Sequence, residues 1–354
     1  MKLKRMIATS AGLALVTALA ACGGDGGGDG SGGDAGSVTF AGWGGTGQEA
    51  LTAAYFEPFT EETGIEVRQD TPSSTSKLEQ MVQSGNVIWD IMDYGPEVGL
   101  RDNPNLEQID CDIVSCEDFE DAPFPVLPQG VPMYIISFVL TYNTDLVTEA
   151  PETRADALFD TEKYPGKRAI NGISGTYGTL IEPALLADGV KQEDLYPLDV
   201  ERALKKIETI RDDIIVYKES SECVNLVASG EAIFGDCYNG RAKLAKDEGQ
   251  PIDFIWSQQT LAADYAMVPK GAPNKENAMK LIAYMTNKEN SAKVSERFAY
   301  AGGNPLSEAP AGFEDNSPLA HIGEGEHRAI YGGMDWWAEN RADVIERMAE
   351  WFNE

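Results

Sequence analysis

The chain has little of what hydrolytic or metal-dependent catalysis requires. Its 354 residues include only two histidines, His321 and His327, and no Gly-x-Ser-x-Gly turn that would present a nucleophilic serine. Both histidines lie in the segment HIGEGEH, whose interleaved glycines favour a solvated turn over a metal site. The sequence therefore predicts no catalytic constellation, no metal site and no bound cofactor.

Positive charge is also scarce. Lysine and arginine total 28 against 58 aspartates and glutamates, which gives a formal net charge of −30 at pH 7. A surface this acidic repels phosphate groups, so we expect no binding to nucleic acid. The same composition is compatible with attraction of small cations, although a solubility adaptation is the simpler explanation.

The one early hydrophobic run is too short to span a bilayer. Residues 6–20 are apolar or small and follow three basic residues, as in a secretory signal peptide over residues 1–21. The segment LAAC resembles the lipobox of bacterial lipoproteins, and this resemblance implies a lipid on Cys22. Residues 22–36 are rich in glycine and aspartate and predict a flexible tether. We therefore expect an extracytoplasmic protein, in the periplasm or at the cell surface, held to the cell membrane only by its lipid.

Cysteines are few, and their number is even once Cys22 is set aside. The remaining four, Cys111, Cys116, Cys223 and Cys237, would face an oxidising compartment. Three connectivities are possible, and pairing of neighbours along the chain is the simplest. The sequence predicts two disulfides.

Strand and helix patterns alternate along the rest of the chain, which predicts an α/β fold. Beyond the tether the chain is longer than one hydrophobic core usually holds, so two lobes are expected. Thr46 and Glu49 have the spacing of a capping box for a helix over 47–63. Further along, IDFIW and DYAMVPKG read as two separate strands.

A glycine motif follows the first predicted strand. Gly42, Gly44 and Gly47 have the spacing of a dinucleotide-binding fingerprint. Predicted export argues against that function, because nicotinamide cofactors are not abundant outside cells. We interpret the glycines as a tight strand-to-helix turn in which Gly44 lines a cleft wall and Trp43 is displayed. Backbone N–H groups at the helix start are suited to an anionic group.

Aromatic and acidic residues recur at the ends of predicted strands. They are Trp43, Asp93, Tyr94, Tyr142, Trp256 and Asp264. In open α/β sheets ligands bind outside the carboxyl ends of the strands. Aromatic faces together with carboxylates suit an ammonium group, through cation–π contacts and charge-assisted hydrogen bonds. These residues are the predicted binding site.

Several segments, in order and spacing, resemble the solute-binding proteins of ABC importers, and most closely the spermidine/putrescine-binding family. The segments are FEPFTEETGIEV, VLTYNTD, YPGKRAI, IEPALLADGV and YAMVPKGAPNKENAMKLIAYM. The resemblance implies a two-lobed periplasmic-binding-protein fold, similar to type II, with hinge strands between the lobes. It implies a discontinuous first lobe over 37–142 plus 260–354 and a second lobe over 143–259.

The resemblance also implies site roles. Trp43 and Trp256 match cleft-lining aromatics, Asp93 and Tyr94 match a ligand-contacting loop, and Asp264 falls where the family places a carboxylate against an amine. A polyamine, putrescine or spermidine, is the ligand that the family favours.

Two departures favour a different ligand. Thr179 stands where polyamine binders carry an acid, and Arg241 in YNGR is a cation that faces the cleft or else the surface. Fewer acids and one arginine fit a zwitterion such as 4-aminobutyrate, which stays as the rival ligand.

The function expected from these patterns is capture rather than chemistry. We expect a monomeric, non-enzymatic receptor that closes on a small cationic or zwitterionic solute and delivers it to an ABC permease and its ATPase. A secreted hydrolase, or an accessory or adhesion module, is the alternative of another class. Trp336 and Trp337 are expected to pack in the core.

Overall fold

The structure is a computed structural model that describes residues 36–120, 122–171 and 179–353. The predicted signal peptide, the lipidated Cys22 and nearly all of the tether lie outside the described residues. No helix in the described part is long and apolar enough to cross a membrane.

Nine strands are present in these described ranges. In chain order they are Ser37–Ala41 (β1), Glu66–Asp70 (β2), Ile91–Tyr94 (β3), Val131–Asn143 (β4), Arg168–Asn171 (β5), Ile214–Tyr217 (β6), Phe234–Tyr238 (β7), Ile252–Met267 (β8) and Ala301–Gly302 (β9).

The same ranges contain ten α-helices. They are Gly45–Leu51 (α1), Glu57–Thr63 (α2), Thr75–Ser84 (α3), Arg154–Phe159 (α4), Ile181–Ala187 (α5), Val200–Glu208 (α6), Ser220–Ala228 (α7), Asn239–Asp247 (α8), Lys275–Thr286 (α9) and Met334–Asn353 (α10). One π-helical stretch, Thr52–Phe56, joins α1 to α2.

Two helix ends lie at residue types that favour such ends, and one predicted helix start differs from the structure. Gly64 ends α2 in the left-handed conformation, and Asp199 caps α6 by accepting from the Arg202 N–H, as their residue types favour. The capping box predicted at Thr46 is wrong. The helix begins at Gly45 with Gly44 as N-cap, because both glycines adopt positive φ and let the chain turn earlier.

The strands form one sheet in the order β2-β1-β3-β8-β4-β7-β5-β6, and β9 pairs with β4. The outer strands are parallel within each side, β1 with β2 and β3, and β5 with β6 and β7. The pairings that join the two sides, β3–β8, β8–β4 and β4–β7, are antiparallel. The predicted α/β class and the two-lobed periplasmic-binding-protein fold are confirmed.

The centre of the sheet is an unusually long antiparallel pair. The prediction of two strands, IDFIW and DYAMVPKG, is wrong, because β8 runs unbroken for 16 residues through the segment between them. It pairs with the 13-residue β4 along both halves, with a register shift between Phe138 and Leu140. Gln258, in the middle of β8, has a positive φ of 58°. The predicted lobe boundaries at 142/143 and 259/260 stay a prediction.

Two of the four apolar cores in the described residues pack against opposite halves of β4. One packs α1, α2 and α9 against β1 and the first half of β4, and the other packs α5 and α6 against the second half. Trp337 of α10 is buried in the second core, and Trp336 packs against it, as expected.

Both predicted disulfides are confirmed. Cys111 bonds to Cys116 within a loop, and Cys223 of α7 bonds to Cys237 of β7. The second bridge fixes a helix to the strand whose end lies beside the site described below.

A buried ion pair holds the second core to the crossing strands. Arg154, at the start of α4, lies 2.7 Å from Asp236 of β7, and both side chains are fully buried. The Arg154 guanidinium also donates to the Thr260 hydroxyl at 2.7 Å and to the Gln258 carbonyl at 3.2 Å. One side chain therefore links α4, β7 and β8.

Replacement of Arg154 by methionine is expected to lower the free energy of unfolding by about 3–5 kcal/mol, because it leaves the Asp236 carboxylate buried without a partner. Chemical denaturation followed by circular dichroism measures this loss. The double variant Arg154→Met with Asp236→Leu removes both charges and should recover part of it. Equal destabilisation of the single and double variants would show that the pair's charge is not what stabilises this junction.

Candidate functional site

A cleft of about 570 Å³ opens on the sheet between residues of both sides of the crossing pair. Its walls carry aromatic rings, carboxylates and cations. They include Trp43, Asp93, Tyr94, Glu97, Tyr134, Asn171, Lys218, Glu219, Tyr238, Arg241, Asp264, Phe298, Tyr300 and Arg341. Since several of these follow strands or begin helices, the sheet itself brings them together.

Six of the eight residues predicted as ligand contacts line this cleft. They are Trp43, Gly44, Asp93, Tyr94, Arg241 and Asp264. The most distant of them, Trp43 and Asp264, are 221 positions apart (264 − 43), so their meeting is a property of the fold and not of a local motif. Their roles in binding remain predictions.

The other two lie elsewhere. Tyr142 is near the far end of β4, opposite Phe234 of β7, and packs in the second core. Trp256 stacks on His321, with ring centroids 4.4 Å apart and planes at 6°. The strand-end argument misplaced Trp256 because β8 does not end there.

At the floor of the cleft, the hydroxyl group of one tyrosine contacts two carboxyl groups. The Tyr134 oxygen lies 2.8 Å from Asp93 Oδ2 and 2.7 Å from Asp264 Oδ2. The three residues stand on the neighbouring strands β4, β3 and β8, and Tyr134 is directly opposite Asp264 in the register. Asp93 is buried, and its Oδ1 atom has no hydrogen-bond partner among the described residues.

Burial makes ionisation of this pair unfavourable. Desolvation, together with the negative charge of Asp264, raises the pKa of Asp93 well above its usual range. Desolvation also raises the pKa of Asp264, with a further contribution from the charge of Glu97 and opposition from the Tyr134 hydrogen bond. A cation placed here would relieve both costs, so the floor is suited to a positively charged group.

Aromatic rings form the walls around the carboxyl pair. Trp43 packs against Tyr94 with ring centroids 5.2 Å apart, and its side chain is 49% exposed although it is large and apolar. Tyr134 stacks on Tyr300 at 5.2 Å with planes at 7°, and Phe298 contacts the edge of Tyr300. These faces provide the cation–π surface that an ammonium group prefers.

Helix α8 contributes a cation to the same cleft. Arg241 is in the first turn of α8, and a Cβ atom built on Gly45 would lie 3.7 Å from its Nη2 atom. Glycine at position 45 is favoured by its φ of +64°, since a Cβ atom there would make only ordinary contact with the guanidinium. Within the described ranges, no carboxylate forms an ion pair with Arg241, whereas Arg341 lies 3.9 Å from Glu97.

The glycine motif serves the turn that displays Trp43. Gly44 has φ of 78°, and its N–H donates to Gln48 Oε1 at 2.7 Å. The Gln48 side chain therefore accepts the hydrogen bond of an N–H group that the sequence analysis predicts to be available to an anionic ligand. Among the described residues, no group of histidines, cysteines and acids has the arrangement of a metal site.

Sequence reasoning missed Tyr134, Tyr300, Glu97 and Arg341. Tyr134 was hidden in an apolar strand, MYIISFVL, whose register against β8 is not readable from the chain alone. Thr179, noted in place of an acid, is buried, and its carbonyl accepts from Arg154 Nη2 at 2.8 Å. It serves the junction between α4 and the crossing strands.

Comparison with known proteins agrees with this geometry. The profile of the bacterial extracellular solute-binding protein family matches residues 54–320. The gamma-aminobutyric acid-binding protein of Pseudomonas aeruginosa is 29% identical over 89% of this chain and 90% of its own length. Spermidine/putrescine-binding periplasmic protein 1 of Haemophilus influenzae is 27% identical over 48% of this chain and 47% of its own.

Solved structures give the same result. The structure of the Atu4243-GABA receptor is 37% identical, with a TM-score of 0.80 over 89% of this chain and 97% of its own. AgtB of Agrobacterium tumefaciens R10, in complex with agropinic acid, is 28% identical with a TM-score of 0.76 over 90% of this chain and 99% of its own.

The fold and the cleft define a solute-binding component of an ABC transporter. The chain belongs to the bacterial extracellular solute-binding protein family. The relatives named above are solute-binding proteins and not enzymes.

Replacement of Asp93 by asparagine is expected to stabilise the empty protein. A carboxyl whose pKa is raised by folding stabilises the fold below its unfolded-state pKa and loses that contribution as pH rises through the folded value. The variant should therefore unfold at a higher temperature than wild type at mildly alkaline pH, with a gain on the order of 1–3 kcal/mol, and the gain should vanish at acidic pH.

Thermal unfolding across pH checks this expectation. Asp102→Asn, at an exposed aspartate outside the cleft, is the matched control and should change little. Destabilisation of Asp93→Asn at alkaline pH would mean that the buried charge is already compensated.

Proposed function

We propose that the protein captures a small zwitterion with an amino group and a carboxylate at opposite ends, of which 4-aminobutyrate is the model. The proposal depends on acidic and basic side chains in one cleft that form no ion pair among the described residues. Asp93 and Asp264 lack a cation, and Arg241 lacks an anion. The ligand's ammonium would pair with the two aspartates, and its carboxylate would pair with Arg241.

The electrostatics support this ligand over a diamine. A guanidinium matches a carboxylate through two parallel hydrogen bonds, whereas it repels the second ammonium of a polyamine. The names of the two long-covering relatives, a gamma-aminobutyric acid-binding protein and a GABA receptor, point in the same direction.

A polyamine is the second candidate. Glu97 and Glu219 also line the cleft, so its four acids outnumber its three cations, Lys218, Arg241 and Arg341, and the spermidine/putrescine-binding relatives match part of the chain. In that case a second ammonium would lie against Glu97 or Glu219 and not beside Arg241.

Capture by closure of the two sides, followed by delivery to a permease and its ATPase, completes the proposed function. Groups for a small solute lie on both sides of the crossing strands, so a ligand held by both would stabilise the closed state. Lipidation of Cys22 would keep the receptor at the membrane while the 22–36 tether allows it to reach the permease.

The two ligand classes are separated by Arg241→Ala. Loss of the guanidinium should weaken 4-aminobutyrate binding by roughly tenfold to a hundredfold, because a charge-assisted hydrogen-bond pair is removed. Asp264→Asn should weaken binding of either ligand by a similar factor. Isothermal titration calorimetry with 4-aminobutyrate and putrescine measures both effects.

Lys243→Ala, on the exposed face of the same helix, is the matched control and should bind as wild type. Tight putrescine binding that survives or improves in Arg241→Ala, with no binding of 4-aminobutyrate to wild type, would favour the polyamine. Unchanged affinity of Asp264→Asn for every bound ligand would contradict the cleft assignment.

The anchor has its own test. Cys22→Ser removes the thiol that would carry the lipid, so the protein should move from the membrane fraction to the soluble exported fraction. Fractionation followed by immunoblotting measures the distribution. Retention in the membrane fraction would contradict lipidation at this residue.

A further inference from the structure

One hydrogen serves two short contacts at the floor of the cleft. The Tyr134 oxygen lies at hydrogen-bond distance from both Asp93 Oδ2 and Asp264 Oδ2. A phenol carries a single hydrogen, which it can donate to only one of them. The other contact is attractive only if that carboxyl oxygen carries a proton and donates it to the phenol oxygen. The arrangement therefore requires one proton beyond the phenol's own.

The Trp43 indole N–H also interacts with the carboxyl groups of Asp93 and Asp264, but it lowers their pKa by less than burial raises it. Besides the trio of Asp93, Tyr134 and Asp264, the charged and titratable residues that line the cleft are Tyr94, Glu97, Lys218, Glu219, Tyr238, Arg241, Tyr300 and Arg341. Arg341 lies against Glu97. In the part of the chain that the structure describes, no lysine or arginine forms an ion pair with either aspartate. Glu97 adds negative charge, so it favours retention of the proton.

We propose that the empty cleft holds one proton on the Asp93–Tyr134–Asp264 trio and that the ligand's ammonium group replaces it, so that capture releases one proton. The proposal rests on the proposed function, since it needs an ammonium-bearing ligand. It makes Tyr134 a positioning residue, which holds two carboxyl groups ready for one cation.

The exchange balances without any further reactant. The carboxyl O–H bond breaks, and its proton passes to water or buffer. All three ammonium N–H bonds stay intact and donate to acceptors that include the unpartnered Oδ1 of Asp93. Tyr134 keeps its own hydrogen and donates it to one carboxylate. The direction of the Asp93 pKa, raised by burial and by its neighbour, agrees with a proton held in the empty state.

Proton release makes affinity depend on pH. Where the trio is fully protonated before binding, the dissociation constant rises by up to about tenfold for each pH unit of acidification. Where the trio has already lost its proton, affinity is independent of pH. Neither histidine lines the cleft, so no imidazole is expected to contribute in this range.

Isothermal titration calorimetry with 4-aminobutyrate counts the released protons. Titrations in buffers that differ in ionisation enthalpy and carry no primary amine should give close to one proton released per ligand at mildly acidic pH. The number should fall toward zero as pH rises. Asp102→Asn is the control and should release as many protons as wild type.

The outcomes separate this inference from the proposed function. Binding of 4-aminobutyrate with no proton release at any pH would overturn the shared proton and leave the proposed ligand class standing. Absence of any binding by 4-aminobutyrate or putrescine would overturn the proposed function, and the shared proton would then be tested on the empty protein.

Infrared spectroscopy of the empty protein provides that second test. A protonated carboxyl group has its own C=O stretching band, which should be present in wild type near neutral pH and lost in Asp93→Asn. Tyr134→Phe should shift or remove the same band, because the bridging hydroxyl is gone. A wild-type spectrum without any ligand-sensitive or Asp93-dependent carboxyl band would overturn the proposal.

Discussion

The site depends on two carboxyl groups, one buried and one half-buried, that the fold holds on either side of one phenol. Like charges this close and this dry repel each other, and burial disfavours each of them separately. Left to itself, such a pair would separate toward water. It persists because Asp93, Tyr134 and Asp264 are fixed on three neighbouring strands whose backbones are hydrogen-bonded to each other. The sheet thus stores an unfavourable arrangement that only a proton or a cation resolves.

The same strands connect this floor to the arginine of the cleft. β4 and β8 continue past the carboxyl pair, and β7, which pairs with the far half of β4, leads directly into α8 and Arg241. Arg154 and Asp236 secure that continuation from inside the second core, and the Cys223–Cys237 bridge secures α7 against β7. The two acids and the arginine are therefore positioned by one set of strands, as the proposed ligand with two unlike ends requires.

Much of this arrangement was readable from the chain because strand ends carry the chemistry. Asp93 and Tyr94 end one short strand and Trp43 follows another, so their common edge was predictable. Tyr134 was not, since a tyrosine inside a continuous apolar strand reads as packing until the register places it opposite Asp264. Trp256 failed for the converse reason. It stands in the middle of a strand that polar residues, SQQT, made look interrupted.

The polar segment SQQT stays within strand β8 because of tertiary contacts that the local sequence pattern does not reveal. Gln258 and Gln259 are buried, and their side-chain amides donate to backbone carbonyls of the segment around residues 318–326. Polar residues in a central strand are unfavourable unless each finds such partners. A segment more than fifty residues away supplies them here, and no window of sequence contains that information.

The long central strands β4 and β8 limit how the chain can be divided into fragments. β3 pairs with β8 on one side of the sheet, and β7 pairs with β4 on the opposite side. Each side therefore ends in a central strand that is also paired with the central strand of the opposite side. Cutting the chain between the sides would leave long unpaired edges of the kind that join to other chains. The two sides accordingly cannot be separated into fragments that each keep a fully paired sheet.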